Sequence, residues 1–174
     1  MQAAGPTARY LVGPNLSVDT EPLTDELWDD LLPLTAAHNV EVGPFPDLVF
    51  NPNKAAYQRM FAHGALAVIT ARKGEALVGY AAFFVSPSLH YFPAIFAQAD
   101  VLYVDPAHRD GMLGLSLMRH AHWVLREHFH ADRVFLGSKA DASKSIMPLL
   151  DRLGYEVVDT VAVKKLEAKW LTLA

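Results

Sequence analysis

The chain has 174 residues, 52% of them hydrophobic and 20% charged, with a formal net charge of −4 and no cysteine. That is one domain's length, enough to bury about two-thirds of the unfolded surface, and the missing cysteine excludes disulfides, thiolate metal sites and a cysteine acyl intermediate. Mild acidity argues against general nucleic-acid binding. There is no apolar run of the roughly 18 residues that marks a membrane helix, and residues 1–7 lack the basic-then-apolar layout of a signal peptide. The expectation is a cytoplasmic protein with neither nucleic acid nor membrane as partner.

Residues 1–20 carry little signal beyond a first strand over 8–12 and a turn at 13–15. Thr24 reads as a helix N-cap, with Asp25 and Glu26 where the helix dipole favours acids. Leu27, Trp28, Leu31 and Leu32 then form an apolar stripe at helical spacing. Pro33 should end or kink that helix before 34–38. Asn51 and Pro52 read as the cap and first residue of a second helix, with Tyr57, Met60 and Phe61 on its buried face and Gly64 closing it. Residues 65–70 and 76–85 are strong strand runs joined by a hairpin turn at 73–75, and Pro87 ends the second.

A third run, 95–104, leads into a Pro-containing turn, a glycine-bearing loop and an amphipathic helix to about His128, with Leu113, Leu117, Ala121, Val124 and Leu125 as its buried stripe. A strand at 134–137, a helix over 143–153 capped by Gly154, and closing strands at 155–158 and 160–163 complete a mixed, mostly antiparallel sheet flanked by helices. The whole reads as a single α/β (α+β) domain over 1–174, with the ends, about 1–20 and 167–174, unplaced. The apolar closing strands make an edge-paired homodimer reasonable.

The strand, loop and helix around residues 101–118 form a natural anion cradle. First-turn N–H groups have no intrahelical partner, and the dipole adds positive potential. Gly111 and Gly114 supply positive φ, or let a phosphate reach the backbone where a Cβ would intrude. Arg109 sets a guanidinium at the loop's mouth. The reading is a pyrophosphate-binding loop.

The letters Leu102, Tyr103, Val104, Asp105 and Pro106, then Arg109 and Gly114 before a Leu-rich helix, resemble the acetyl-CoA signature of the GNAT N-acetyltransferase superfamily. The likeness extends through Val78 to Phe84, Leu89 to Tyr91, Leu153 to Tyr155 and Val163 to Leu166, in the manner of bacteriophage and prophage members. It implies transfer of an acetyl group from acetyl-CoA to an amine of unknown identity in a ternary complex. The thioester and pantetheine would lie on the backbone of Leu102, Tyr103 and Val104. The pyrophosphate would lie on the N–H groups of Asp110, Gly111, Met112, Leu113, Gly114 and Leu115, opened by Arg109. The first two helices would line the acceptor pocket, although Trp28, Tyr57 and Phe61 at helical spacing also read as plain core.

Met112 and Asp110 stand where the signature usually has glycines. Leu150 fills the slot of a tyrosine that commonly acts as general acid, and Ser143 that of an asparagine near the cofactor. These departures keep open an alternative, a degenerate family member that binds CoA or serves as a structural or protein-interaction module. For a base the chain offers Asp100, placed by strand period two on the face of Leu102, against a strand-end residue in solvent. His90 and Tyr91, after the break at Pro87, are candidates for acid or base, against a merely structural loop pair. Lys139 and Lys144 are minor candidates for the CoA 3′-phosphate. His120, His122, His128 and His130 do not make a metal set, because the first two lie about 200° apart on a helix. No metal is expected.

Overall fold

The structure, a computed structural model, describes residues 10–165 apart from 110, 142 and 144. Six strands follow one another across one sheet in chain order: β1 (Tyr10–Gly13), β2 (Leu16–Thr20), β3 (Leu66–Lys73), β4 (Ala76–Pro87), β5 (Ile95–Val104) and β6 (Arg133–Phe135). Every neighbouring pair is antiparallel except the last, in which β6 runs parallel to β5. A parallel pair needs a crossover, and α3 (Leu113–Glu127) supplies it.

α3 covers one face of the sheet. Its Leu113, Leu117, Met118, Ala121 and Leu125 share a core with Val18, Ile69 and Phe83. α1 (Asp25–Val42) and α2 (Lys54–Ala62) cover the other, where Leu27, Trp28 and Leu31 meet Val68, Tyr80 and Tyr103. α4 (Met147–Arg152) follows β6. No helix among the described residues is long and apolar enough to cross a membrane.

Thr24 caps α1 as expected, its hydroxyl accepting from the Leu27 N–H at 3.2 Å. The expected break at Pro33 does not occur: α1 runs unbroken through it to Val42. An interior proline costs about 3 kcal/mol. Contacts beyond it offset that cost, because Thr35, His38 and Glu41 each bond or stack against the sheet side of the molecule. α2 starts two residues later than expected, since Asn53, not Asn51, offers its side chain to the Ala56 N–H.

β2 was not anticipated. The helix expected over 143–153 shrinks to α4, because Ser138 and Ser145 hydroxyls accept from the Ile146 and Met147 N–H groups while Ser143 bonds locally to Asp141. Such local bonds compete with helix. The closing strands are also corrected: residues 155–165 belong to no strand, and Val157, Val158, Val161 and Val163 are exposed. The edge on which a homodimer was argued is therefore not formed.

Candidate active site

β5 sets the geometry. It pairs with β4 along its whole length, up to Val104 opposite Gly79, but the register slips by one between Ala82 and Phe83, which face Val101 and Ala99. Asp100 is the extra residue, a β-bulge. The side-chain phase changes there. Ala97, Ala99, Leu102 and Val104 point to the α3 core, whereas Val101 and Tyr103 point to the α1 side. Asp100 accordingly shares the α1 side with Val101, not the face of Leu102 that simple alternation assigned.

On its other side β5 pairs with β6 only from Phe96 to Gln98. β6 ends at Phe135, so among the described residues β5 has no strand partner on that side from residue 99 onward. Where the pairing holds, Phe96 stacks on Phe135 with centroids 5.2 Å apart.

On the α1 side, beside Asp100, lies a small cleft of about 40 Å³, open to solvent. Its walls include Trp28, Leu31, Tyr57, Val68, Tyr80 and Val101, and Asp100 is the single ionisable carboxylate among its lining residues. Tyr57 donates to Asp100 Oδ2 at 2.6 Å. Burial, then that bond and the carboxylate's charge, hold the Tyr57 phenol far above its usual range, so it remains a donor. Tyr80, pushed up to about 12 by burial, donates to Thr35 Oγ1 at 2.9 Å, and the Thr35 hydroxyl donates in turn to the Leu31 carbonyl at 2.8 Å.

The loop after β5 differs from expectation. Arg109 is clamped: Nη1 and Nη2 donate to the two Glu41 carboxylate oxygens at 2.7 and 2.6 Å, and Nε donates to the Val104 carbonyl at 2.8 Å. Its guanidinium also lies 5.4 Å from the Tyr103 ring centre. These contacts tie α1 to the end of β5 through the residue expected at the mouth of the phosphate loop.

The Gly111 N–H is spent on the Arg109 carbonyl at 2.8 Å, and Asp110 lies outside the described residues. α3 begins at Leu113 after Met112, which makes no side-chain cap bond. The N–H groups of Leu113, Gly114 and Leu115 therefore have no acceptor within the helix. Neither Gly111 nor Gly114 has positive φ, so conformational freedom is not why they are glycine. A Cβ at Gly111 would meet nothing within 4 Å, and one at Gly114 would only touch Leu149 at 4.0 Å. Both open on space that a side chain would fill, which fits a bound anion. The Met112 side chain is half exposed.

His90 and Tyr91 stand in the β4–β5 connection, both exposed, with Tyr91 against Phe96 at 6.2 Å. The five steps from Ile95 to Asp100 span roughly 17 Å of strand, and neither His90 nor Tyr91 is among the residues that line the cleft. Ser143 is exposed in a local turn, its hydroxyl donating to Asp141 at 2.8 Å, and Lys144 lies outside the described residues. Leu150 is buried at 3% exposure. Among the described residues no group of three histidines and carboxylates stands together as a metal site. His120 meets the Thr20 hydroxyl at 3.3 Å and His122 the Tyr155 hydroxyl at 2.7 Å.

Thr35, His38 and Glu41 escaped the sequence reading. With Leu31 they follow a four-three-three spacing on one helix face, and His38 stacks on Tyr103 at 5.4 Å. Burial, then the positive charge of Lys139, hold its imidazole below the usual value, so it is neutral at pH 7.

A six-stranded curled sheet flanked by helices, with an uncapped helix start after its fifth strand, is the acyl-CoA N-acyltransferase fold. A sequence model of the acetyltransferase (GNAT) family matches residues 24–155, and the chain belongs to that family. No curated protein matches it in sequence. The ribosomal-protein-alanine N-acetyltransferase of Brucella melitensis biovar Abortus 2308 superposes with a TM-score of 0.65 at 16% identity, over 87% of this chain and 99% of that one. An aminoglycoside acetyltransferase from an uncultured soil metagenomic sample gives 0.69 at 16% identity, over 86% and 98%. A Trypanosoma brucei acetyltransferase gives 0.64 at 16% identity, over 87% and 99%. At these identities the likeness is one of fold.

Proposed function

We propose that the protein transfers the acetyl group of acetyl-CoA to a primary amine by direct attack in a ternary complex. The observation that carries this reading is Asp100, set by a β-bulge in the stretch of β5 that has no β6 partner and lining the cleft. The pyrophosphate lies against the N–H groups of Leu113, Gly114 and Leu115, and the pantetheine runs along β5 on the backbone of Leu102, Tyr103 and Val104. Arg109 acts as a positioning residue, holding α1, the end of β5 and the loop together.

The acceptor enters as an ammonium ion in the cleft and gives one proton to Asp100. Its nitrogen then attacks the thioester carbon, forming the C–N bond as the C–S bond breaks. A second nitrogen proton leaves in the same sequence, and the thiolate ends as a thiol. The products are the amide, CoA thiol and one released proton. Leu150 supplies no acid, and an alkyl thiol titrates at about 8.5, so the thiolate takes its proton from water. The setting taken here is the cytoplasm of a bacterial or phage-infected cell, in keeping with the sequence resemblance.

Leu150, buried where the resemblance expects an acid, favours a second reading, acyl-CoA binding without turnover. Calorimetric titration with acetyl-CoA, followed by a thiol-release assay, tests both. We expect micromolar binding and amine-dependent thiol release. Asp100→Asn should lower kcat/KM by about 10²–10⁴ and leave acetyl-CoA affinity unchanged. Absence of acetyl-CoA binding would sink both readings; binding without release for any amine would select the second.

A further inference from the structure

We infer that the acceptor is a small primary amine with a single positive charge on an apolar body. A polyamine or an aminoglycoside does not suit the cleft. The inference rests on the acetyl-transfer reading above and concerns the cleft on the α1 side of Asp100.

The hydroxyls lining the cleft are already committed. Tyr80 donates to Thr35 at 2.9 Å and Thr35 to the Leu31 carbonyl at 2.8 Å, while Tyr57 donates to Asp100 at 2.6 Å. A carboxylate has roughly four acceptor positions, so Asp100 retains sites for an ammonium group. It is the single ionisable carboxylate in the lining, hence one positive charge is matched and no more. The remaining surface is aromatic and aliphatic, with Trp28 and Tyr57 at 5.6 Å forming a tilted pair that suits a ring edge or face.

A second ammonium would lose its water against these walls with no opposite charge to meet it, which is costly. An apolar body would gain by the same burial. The apolar character continues outward. The connection between α1 and α2, which delivers Pro52 to the cleft, exposes Phe45, Leu48, Val49 and Phe50.

The test compares 2-phenylethylamine, n-hexylamine, spermidine and sisomicin as acetyl acceptors of the full chain, each also titrated calorimetrically without acetyl-CoA. We expect kcat/KM for 2-phenylethylamine to exceed that for spermidine and sisomicin by at least tenfold, with n-hexylamine nearer the former. Leu32→Glu adds a carboxylate at a lining position that is already 37% exposed, so folding should survive. It should narrow the preference by favouring spermidine at the expense of 2-phenylethylamine.

Preference of the wild type for spermidine or sisomicin would overturn the inference, as would failure of 2-phenylethylamine both to bind and to react. If acetyl-CoA binds and another amine class is acetylated, the inference falls while the acetyl-transfer reading stands. If acetyl-CoA does not bind, that reading falls, and the amine titrations decide the cleft's preference by themselves.

Discussion

Gly114 separates folding from ligand binding within one residue. In the first turn of α3 an added methyl group would make ordinary contact with Leu149 at 4.0 Å, and alanine is favoured over glycine in helices by about 1 kcal/mol. Gly114→Ala is therefore expected to hold or raise Tm while weakening acetyl-CoA binding at least tenfold, read by thermal denaturation and calorimetry on the same sample. Equal affinity in the variant would show that the phosphate does not approach this backbone. Asp100 gives the complementary lesson about legibility. Its identity as a base candidate was readable from its position on the strand, but its direction was not. A bulge is set by how β4 and β5 pair, and strict alternation carries the residue to the wrong face.

At the scale of the element, α1 decides how the site is held. Beyond Pro33, its Thr35, His38 and Glu41 reach Tyr80, Tyr103 and Arg109 in turn, a stripe visible in the sequence only if the helix is allowed to continue. The proline made a break the natural reading, and tertiary contacts override that local preference. Pro33→Ala should stabilise the protein by about 1–3 kcal/mol, a rise in Tm of roughly 2–12 °C at 2–4 °C per kcal/mol. An unchanged or lower Tm would mean that the proline shapes α1 usefully. Glu41→Gln tests the clamp. The pair is partly exposed, with 40% and 36% side-chain accessibility, so about 0.5–1 kcal/mol is at stake. We expect a Tm lower by a few degrees and acetyl-CoA affinity that falls or holds. Tighter binding would mean that the carboxylate competes with phosphate for Arg109.

Across the whole molecule, three histidines link stability to pH. Burial is the leading cause that holds His38, His120 and His122 below the usual imidazole value. Each is therefore protonated more readily in the unfolded chain. Their contribution is fully present above about pH 6.5 and is lost as pH falls from there through the lower folded-state values. Tm should drop between pH 7.5 and 5.5, and a His120→Gln, His122→Gln double variant should show a shallower drop. A flat wild-type profile would contradict this. The long strands β3, β4 and β5 and the amphipathic α3 were legible because apolar periodicity persists along them. β2 was not, since its Ser17 and Thr20 are polar yet buried, and only the neighbouring β3 and α3 explain that. The segment over 155–163 failed in the opposite sense. Its valines favour a strand, but strand preference is realised only against a partner, and β6 is three residues long.

The end of the β5–β6 pairing also bears on self-association. Unpaired strand edges recruit other strands and invite aggregation, so proteins usually shorten, charge, bulge or cover them. Here β5 has no β6 partner beyond Gln98 among the described residues, and the bulge at Asp100 falls within that stretch. The open edge is short, interrupted by the bulge and marked by a carboxylate. The irregularity that turns Asp100 toward the cleft thus also discourages a foreign strand from pairing there.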